Sequence, residues 1–106
     1  MNEVSDKTWA TEVEQAATPV LVMFSGRWCA PCRSAAPVVE AFERACGGRV
    51  KVLKADVEKA GGASMDAHVS TLPTFVLYAR GEAVGKHVGF DARLVDTLRG
   101  MVGVMG

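Results

Sequence analysis

The chain has 106 residues, 49% of them hydrophobic, which fits a single compact domain over 1–106 with one core and leaves no room for a second. Twelve Lys and Arg balance twelve Asp and Glu with no basic tract or acidic tail, so neither a nucleic acid nor an anionic membrane is expected as a partner. The first residues lack a basic start and an apolar h-region, and the longest strongly apolar run, Val20 to Phe24, is far too short to span a bilayer; a soluble, cytoplasmic protein is expected.

In chain order, Ser5 or Asp6 can cap a first helix with apolar positions Trp9, Val13 and Ala16 or Ala17 at helical spacing, closed off by Pro19. Val20 to Phe24 is apolar on both faces and valine-rich, as expected of a central strand covered by helices on both sides. A second helix runs from Ala30 to Cys46 with Ala35, Ala36, Val39, Phe42 and Cys46 on one face, a proline-induced kink at Pro37, and Gly47 and Gly48 as its stop. Val50 to Asp56 is another strand, parallel to the first through a right-handed βαβ crossover. A weak helical segment follows from Ala63 to about Val69. Thr74 to Tyr78 and Ala83 to Val88 form a hairpin across a loop containing Gly81. The last helix starts at Asp91 with Leu94, Val95, Leu98, Met101 and Val102 toward the sheet, and Gly103 to Gly106 is expected to fray.

Two cysteines, Cys29 and Cys32, sit where the first strong strand hands over to the long helix. A helix N-terminus offers free N–H groups and positive dipole to an anion, and a thiolate is such an anion. Three cysteines are the wrong parity for a secreted disulfide framework, so the single C-x-x-C points to dithiol–disulfide chemistry in a reducing compartment. Cys29, at the helix mouth, is the expected nucleophile, its thiol shifted below the free value of about 8.5. Cys32, one turn inside, is the expected resolving thiol, attacking once Cys29 is tied up in a mixed disulfide. Pro31 restricts the turn between them, Ala30 and Pro31 bring no competing proton, and Trp28 forms an apolar wall.

The order of elements together with WCAPC at Trp28 to Cys32, Pro37 in the following helix, Lys54 in the next strand, TLPTF at Thr71 to Phe75, and Gly81 and Gly89 is similar to the thioredoxin family over nearly the whole chain. The resemblance implies the thioredoxin fold, a central mixed sheet with helices on both faces in three α/β/α layers. It also implies a protein-disulfide reductase with no bound cofactor beyond the Cys29–Cys32 disulfide, acting in electron transport and cell redox homeostasis. Partners implied are an NADPH-dependent thioredoxin reductase and disulfide-containing proteins; a monomer is the default. The Leu72–Pro73 bond, which by itself carries only the roughly 5% cis frequency of X–Pro bonds, is implied to be cis beside the active-site sulfur. Substrate strands would then pair with the backbone at Leu72, over a shallow apolar surface of Trp28, Ala30, Pro31, Leu72 and Gly89.

Met23 is a departure from the family pattern. It takes the position where thioredoxins usually carry a buried aspartate thought to relieve the resolving cysteine of its proton, and Ser25 stands where a tryptophan often follows. Lys54, the usual partner of that aspartate, is left in a strand that looks buried, and a buried lysine without a counter-ion must reach solvent, titrate low or lean on a thiolate. Loss of the carboxylate favours the Cys29 thiolate, which makes the protein more oxidising and slows its resolving step.

Other readings are weaker. A zinc site needs four ligands, and Cys46, His68 and His87 are scattered. Cys46 lies roughly 20 Å along the helix from Cys32, too far to bridge, and reads as a small core hydrophobe. His68 and His87 read as surface residues, and Arg27 and Arg33 as a solvated face flanking the motif. The alternatives to a general reductase are a more oxidising relative dedicated to one partner, and a non-catalytic binding module that uses the surface around Trp28 and Pro73.

Overall fold

The computed structural model describes residues 1–105. Five strands make one mixed sheet: β1 (Asn2–Val4), β2 (Val20–Ser25), β3 (Lys51–Asp56), β4 (Thr74–Ala79) and β5 (Glu82–Val88), in the order β1-β3-β2-β4-β5. β2 runs parallel to β3 and antiparallel to β4, and β3 is also parallel to β1. The three helices are α1 (Ala30–Cys46), α2 (Gly61–Asp66) and α3 (Leu94–Met105).

All six residues of β2 are buried, because both of its faces are covered. Leu21 and Met23 point into a core shared with α1 and α3, while Val20, Val22 and Phe24 join the core on the other side with Val13, Ala60 and Ala63. This is the three-layer α/β/α arrangement expected, with β2 at its centre.

α1 has the bounds its local signals give. Cys29 is its N-cap in extended backbone, and Gly47 ends it at φ 58°, in the left-handed region that glycine adopts without cost. Cys32, Ala35, Val39, Phe42 and Cys46 form its buried stripe; Ala36 is only half-buried, and the helix continues through Pro37 on its exposed side.

The first helix differs from expectation. Asn2–Val4 is an edge strand, and only a π-helical segment, Ala10–Glu14, follows. The capping groups are otherwise engaged: the Ser5 amide donates to Oγ1 of Thr8 at 3.1 Å, and the Asp6 carboxylate accepts the N–H groups of Gly62 at 2.8 Å and Ala63 at 3.1 Å. Asp6 therefore caps α2 from across the molecule. That explains why α2 starts at Gly61 and not at Ala63. It ends at Asp66, short of Val69, because His68 turns into positive φ at 55° and Lys86 Nζ donates to the carbonyls of Ala67 and His68.

The hairpin turn places Arg80 and Gly81 both at positive φ, matching the twist of β4 and β5. α3 begins three residues later than expected. The Asp91 side chain accepts the Arg93 N–H at 2.9 Å and the Asp91 carbonyl accepts that of Leu94, a turn that delays the helix. Leu94 and Leu98 are fully buried, with Met101 and Val102 packed at the margin. Gly103 to Met105 is helical, not frayed, and Gly106 lies outside the described residues.

Candidate active site

The handover from β2 to α1 passes through Gly26, Arg27 and Trp28. A Cβ on Gly26 would stand 2.9 Å from Cδ1 of Leu72, so the lack of a side chain lets this loop close onto the Leu72–Pro73 segment. The sequence reading passed over Gly26, although the Ser25–Gly26 pair between strand and motif is a turn signal. Trp28 is 86% exposed, and the Arg27 guanidinium sits 5.6 Å from its ring centroid, a cation–π contact at the surface.

Cys29 and Cys32 are joined in a disulfide with their Cα atoms 5.2 Å apart. Cys29 is half-buried and Cys32 only 2% exposed. The Cys32 N–H donates to Sγ of Cys29 at 3.1 Å, so the outer sulfur occupies the capping position of α1. Ala30 and Pro31 are exposed beside it, forming the first turn.

The Leu72–Pro73 peptide is cis. Leu72 is half-buried and packs against both cores, Pro73 is buried, and the Pro73 carbonyl accepts the Gly89 N–H at 2.7 Å, with Gly89 at φ 87°. The buried Thr74 hydroxyl donates to the Thr71 carbonyl and fixes the loop from the other side. Leu72 and Cys29 both pack against the core that contains Cys32.

Beneath the cysteines the floor is apolar. Met23 is 1% exposed and belongs to the same core as Cys32, Ala35 and Phe75. Its sheet neighbours complete a row, Glu3–Lys54–Met23–Phe75–His87, with charge or polarity only at the flanks. Lys54 is half-buried, not enclosed: it borders a surface hollow together with Glu3, Asp56 and Glu58. Among the described residues it forms no ion pair.

His87 is not the surface residue expected. Its side chain is only 11% exposed, its ring lies 6.3 Å from that of Phe75, and Nε2 approaches Oδ1 of Asp91 at 3.4 Å. His68 is exposed as expected, and Cys46 is buried in the α1–α3 core, where desolvation pushes its thiol up. Among the described residues no three His, Cys, Asp or Glu side chains gather as a metal-holding set, and no helix is long and apolar enough to cross a membrane.

Comparison with known proteins agrees with this geometry. The family model described as Thioredoxin matches residues 1–100. Thioredoxin C-2 of Corynebacterium nephridii is 35% identical over 89 residues, covering 84% of this chain and 82% of its own length. Thioredoxin 1 of Nostoc sp. is 33% identical over 87 residues, covering 82% and 81%. Thioredoxin of Rickettsia bellii is 33% identical over 92 residues, covering 87% and 88%. With a disulfide-forming cysteine pair at the mouth of its longest helix, the outer sulfur half-buried and the inner one enclosed, the chain belongs to the thioredoxin family of thiol–disulfide oxidoreductases.

Proposed function

We propose that the protein reduces disulfides in other proteins by dithiol–disulfide exchange, with Cys29 as nucleophile and Cys32 as resolving thiol. The observation that carries this reading is the asymmetry of the pair: Cys29 caps the helix at its open end, and Cys32 is sealed one turn inside. In the reduced protein the Cys29 thiolate attacks one sulfur of a substrate disulfide, forming a mixed disulfide and releasing the first substrate thiolate, which takes a proton from water. Cys32 then loses its proton and attacks Sγ of Cys29. The Cys29–Cys32 disulfide forms, the second substrate thiolate leaves, and two electrons have passed to the substrate.

Substrate backbone pairs with the chain at Leu72, and Trp28, Ala30, Pro31 and Gly89 supply a shallow apolar surface that suits many sequences. An NADPH-dependent thioredoxin reductase returns the two electrons. The protein works as a cytoplasmic monomer, and neither nucleic acid nor membrane takes part. Met23 leaves the resolving step without a side-chain base, so water or the departing thiolate takes the Cys32 proton. Without a carboxylate at the Met23 position the Cys29 thiolate is favoured, the reduced form gains stability, and the protein is more oxidising than a relative carrying aspartate there.

The test is Cys32→Ser, which is expected to accumulate mixed disulfides between Cys29 and protein substrates that a reductant releases. Normal turnover by that variant would overturn the assigned roles. Disulfide reduction that survives in the Cys29→Ser, Cys32→Ser double variant would exclude a catalytic pair, and partner binding that survives would favour a binding module.

A further inference from the structure

On the face where α1 and α3 meet, away from the cysteine pair, the two helices do not close on each other. A groove of about 740 Å³ runs between them, within the roughly 300–1,000 Å³ typical of small-molecule sites. Its lining includes the small, exposed Ala41, Ala45 and Gly103, which leave space between the helices, with Phe42 and Val95 lining the walls. Along α1 the groove extends from Pro37 to Cys46, roughly 13 Å at the helical rise.

Among the described residues, two charged side chains border this groove, Arg49 and Arg99, and both are cationic. Among the described residues neither forms an ion pair, and both are exposed. The Arg49 Nε–H donates to the Cys46 carbonyl at 3.1 Å, which holds that guanidinium at the groove's end while its terminal N–H groups remain free to fork a carboxylate.

We infer that the α1–α3 groove, with Arg49 and Arg99 at its border, is a binding site for a single-chain anionic amphiphile, a fatty carboxylate whose chain lies along the apolar walls. Charge complementarity selects the class: a neutral or cationic amphiphile would leave two guanidiniums beside apolar surface without a partner, and a long thin chain fits a groove bounded by small residues. The site stands apart from the disulfide and does not rest on the proposed reductase role.

Cys46 lines the groove and is the free thiol of the disulfide form; it is buried, so its alkylation follows opening of the groove and serves as a second readout beside direct binding. The experiment titrates the oxidised full chain with dodecanoate below its micelle concentration and follows heat, methyl resonances of Val38, Val95 and Val102, and the rate at which N-ethylmaleimide alkylates Cys46. Dodecanoate is expected to bind, to shift those methyls and to slow alkylation, whereas dodecyltrimethylammonium does none of the three at the same concentration. Arg49→Gln with Arg99→Gln is expected to weaken dodecanoate binding about tenfold or more, the loss of charge-assisted hydrogen bonds, with an unchanged circular dichroism spectrum. Absence of dodecanoate binding, equal binding of the two amphiphiles, or no loss in the folded double variant would overturn the inference. So would concentration-dependent dimerisation that shifts the same methyls, which would assign the groove to a second copy of the chain.

Discussion

Asp6→Ala removes a cap that the chain supplies from 56 residues away. The carboxylate accepts two amides at the start of α2, Gly62 at 2.8 Å and Ala63 at 3.1 Å. Loss of an N-cap costs about 0.5–2 kcal/mol; two acceptor contacts and a charge at the positive end of the dipole put this case in the upper half, about 1–2 kcal/mol. With an unfolding entropy of roughly 2.1 cal/mol/K per residue, about 0.22 kcal/mol/K for 106 residues, Tm falls by about 5–9 °C. Thermal unfolding followed by circular dichroism at neutral pH, on the disulfide form, reads this directly. Amide exchange at Gly62 and Ala63 is expected to speed up while that of β2 changes only with global stability. The Gly62 position provides a cycle: a Cβ there would meet Oδ2 of Asp6 at 3.2 Å, so Gly62→Ala gains helix propensity but crowds the cap. In the Asp6→Ala background the crowding is gone, and Gly62→Ala becomes more stabilising than in the native chain. A Tm change under about 1 °C for Asp6→Ala, against the 5–9 °C worked above, or strict additivity in the cycle, would refute the capping argument.

Met23→Asp places a carboxyl where only 1% of the side chain is exposed. It is expected to lower stability by at least about 2 kcal/mol, the cost of emptying a core methionine site, and to move Cys29 reactivity to higher pH and the potential to a more reducing value. Thiol titration against a Met23→Asn control checks this, and no change or a shift to lower pH would remove the argument. Gly26→Ala pushes Leu72 aside and is expected to raise KM for protein disulfides several-fold with kcat little changed, read from steady-state kinetics. Burial, with Asp66 adding to it, pushes the Tyr78 hydroxyl from 10.0 up to about 12. Its folded value lies above its unfolded one, so this contribution is intact below pH 10 and is lost as pH rises toward 12. Tyr78→Phe is expected to flatten that part of the stability profile, as measured by urea unfolding at alkaline pH.

What could be read from the sequence follows how local its physical causes are. The bounds of α1 and most of its buried stripe were legible because its capping cysteine, its apolar face and its glycine stop are contiguous in sequence, and β2 was legible because five consecutive apolar residues require two covered faces. The site was legible where it is contiguous, at Trp28 to Cys32, and through family resemblance at Leu72–Pro73. The first helix was not legible, because Asp6 has two competing uses and the winning one is an amide pair in α2. β1 was missed because three residues with one buried valine carry no periodicity of their own. His87 lies on an edge strand whose apolar residues Ala83, Val84 and Val88 are exposed, so its pattern does not mark an inward face, and only the pairing with Phe75 shows that His87 turns inward. The open groove depends on small residues from two helices meeting, which neither helix reveals alone.

The hydrogen bond from the Cys32 amide to Sγ of Cys29 sets how freely the motif can be rewritten. In the proposed mechanism the sulfur that opens the helix is also the one that reacts, and the residue assigned to attack it donates the amide that holds it. Spacing and secondary structure are thus a single constraint. Inserting or deleting one residue between the cysteines would move the capping atom off the helix axis as it breaks the pair, and no side-chain choice elsewhere could restore both. The identity of Ala30, whose side chain is exposed, is open to substitution. A library that varies this position at fixed length would explore redox poise, while one that varies length would lose the helix start and the chemistry together.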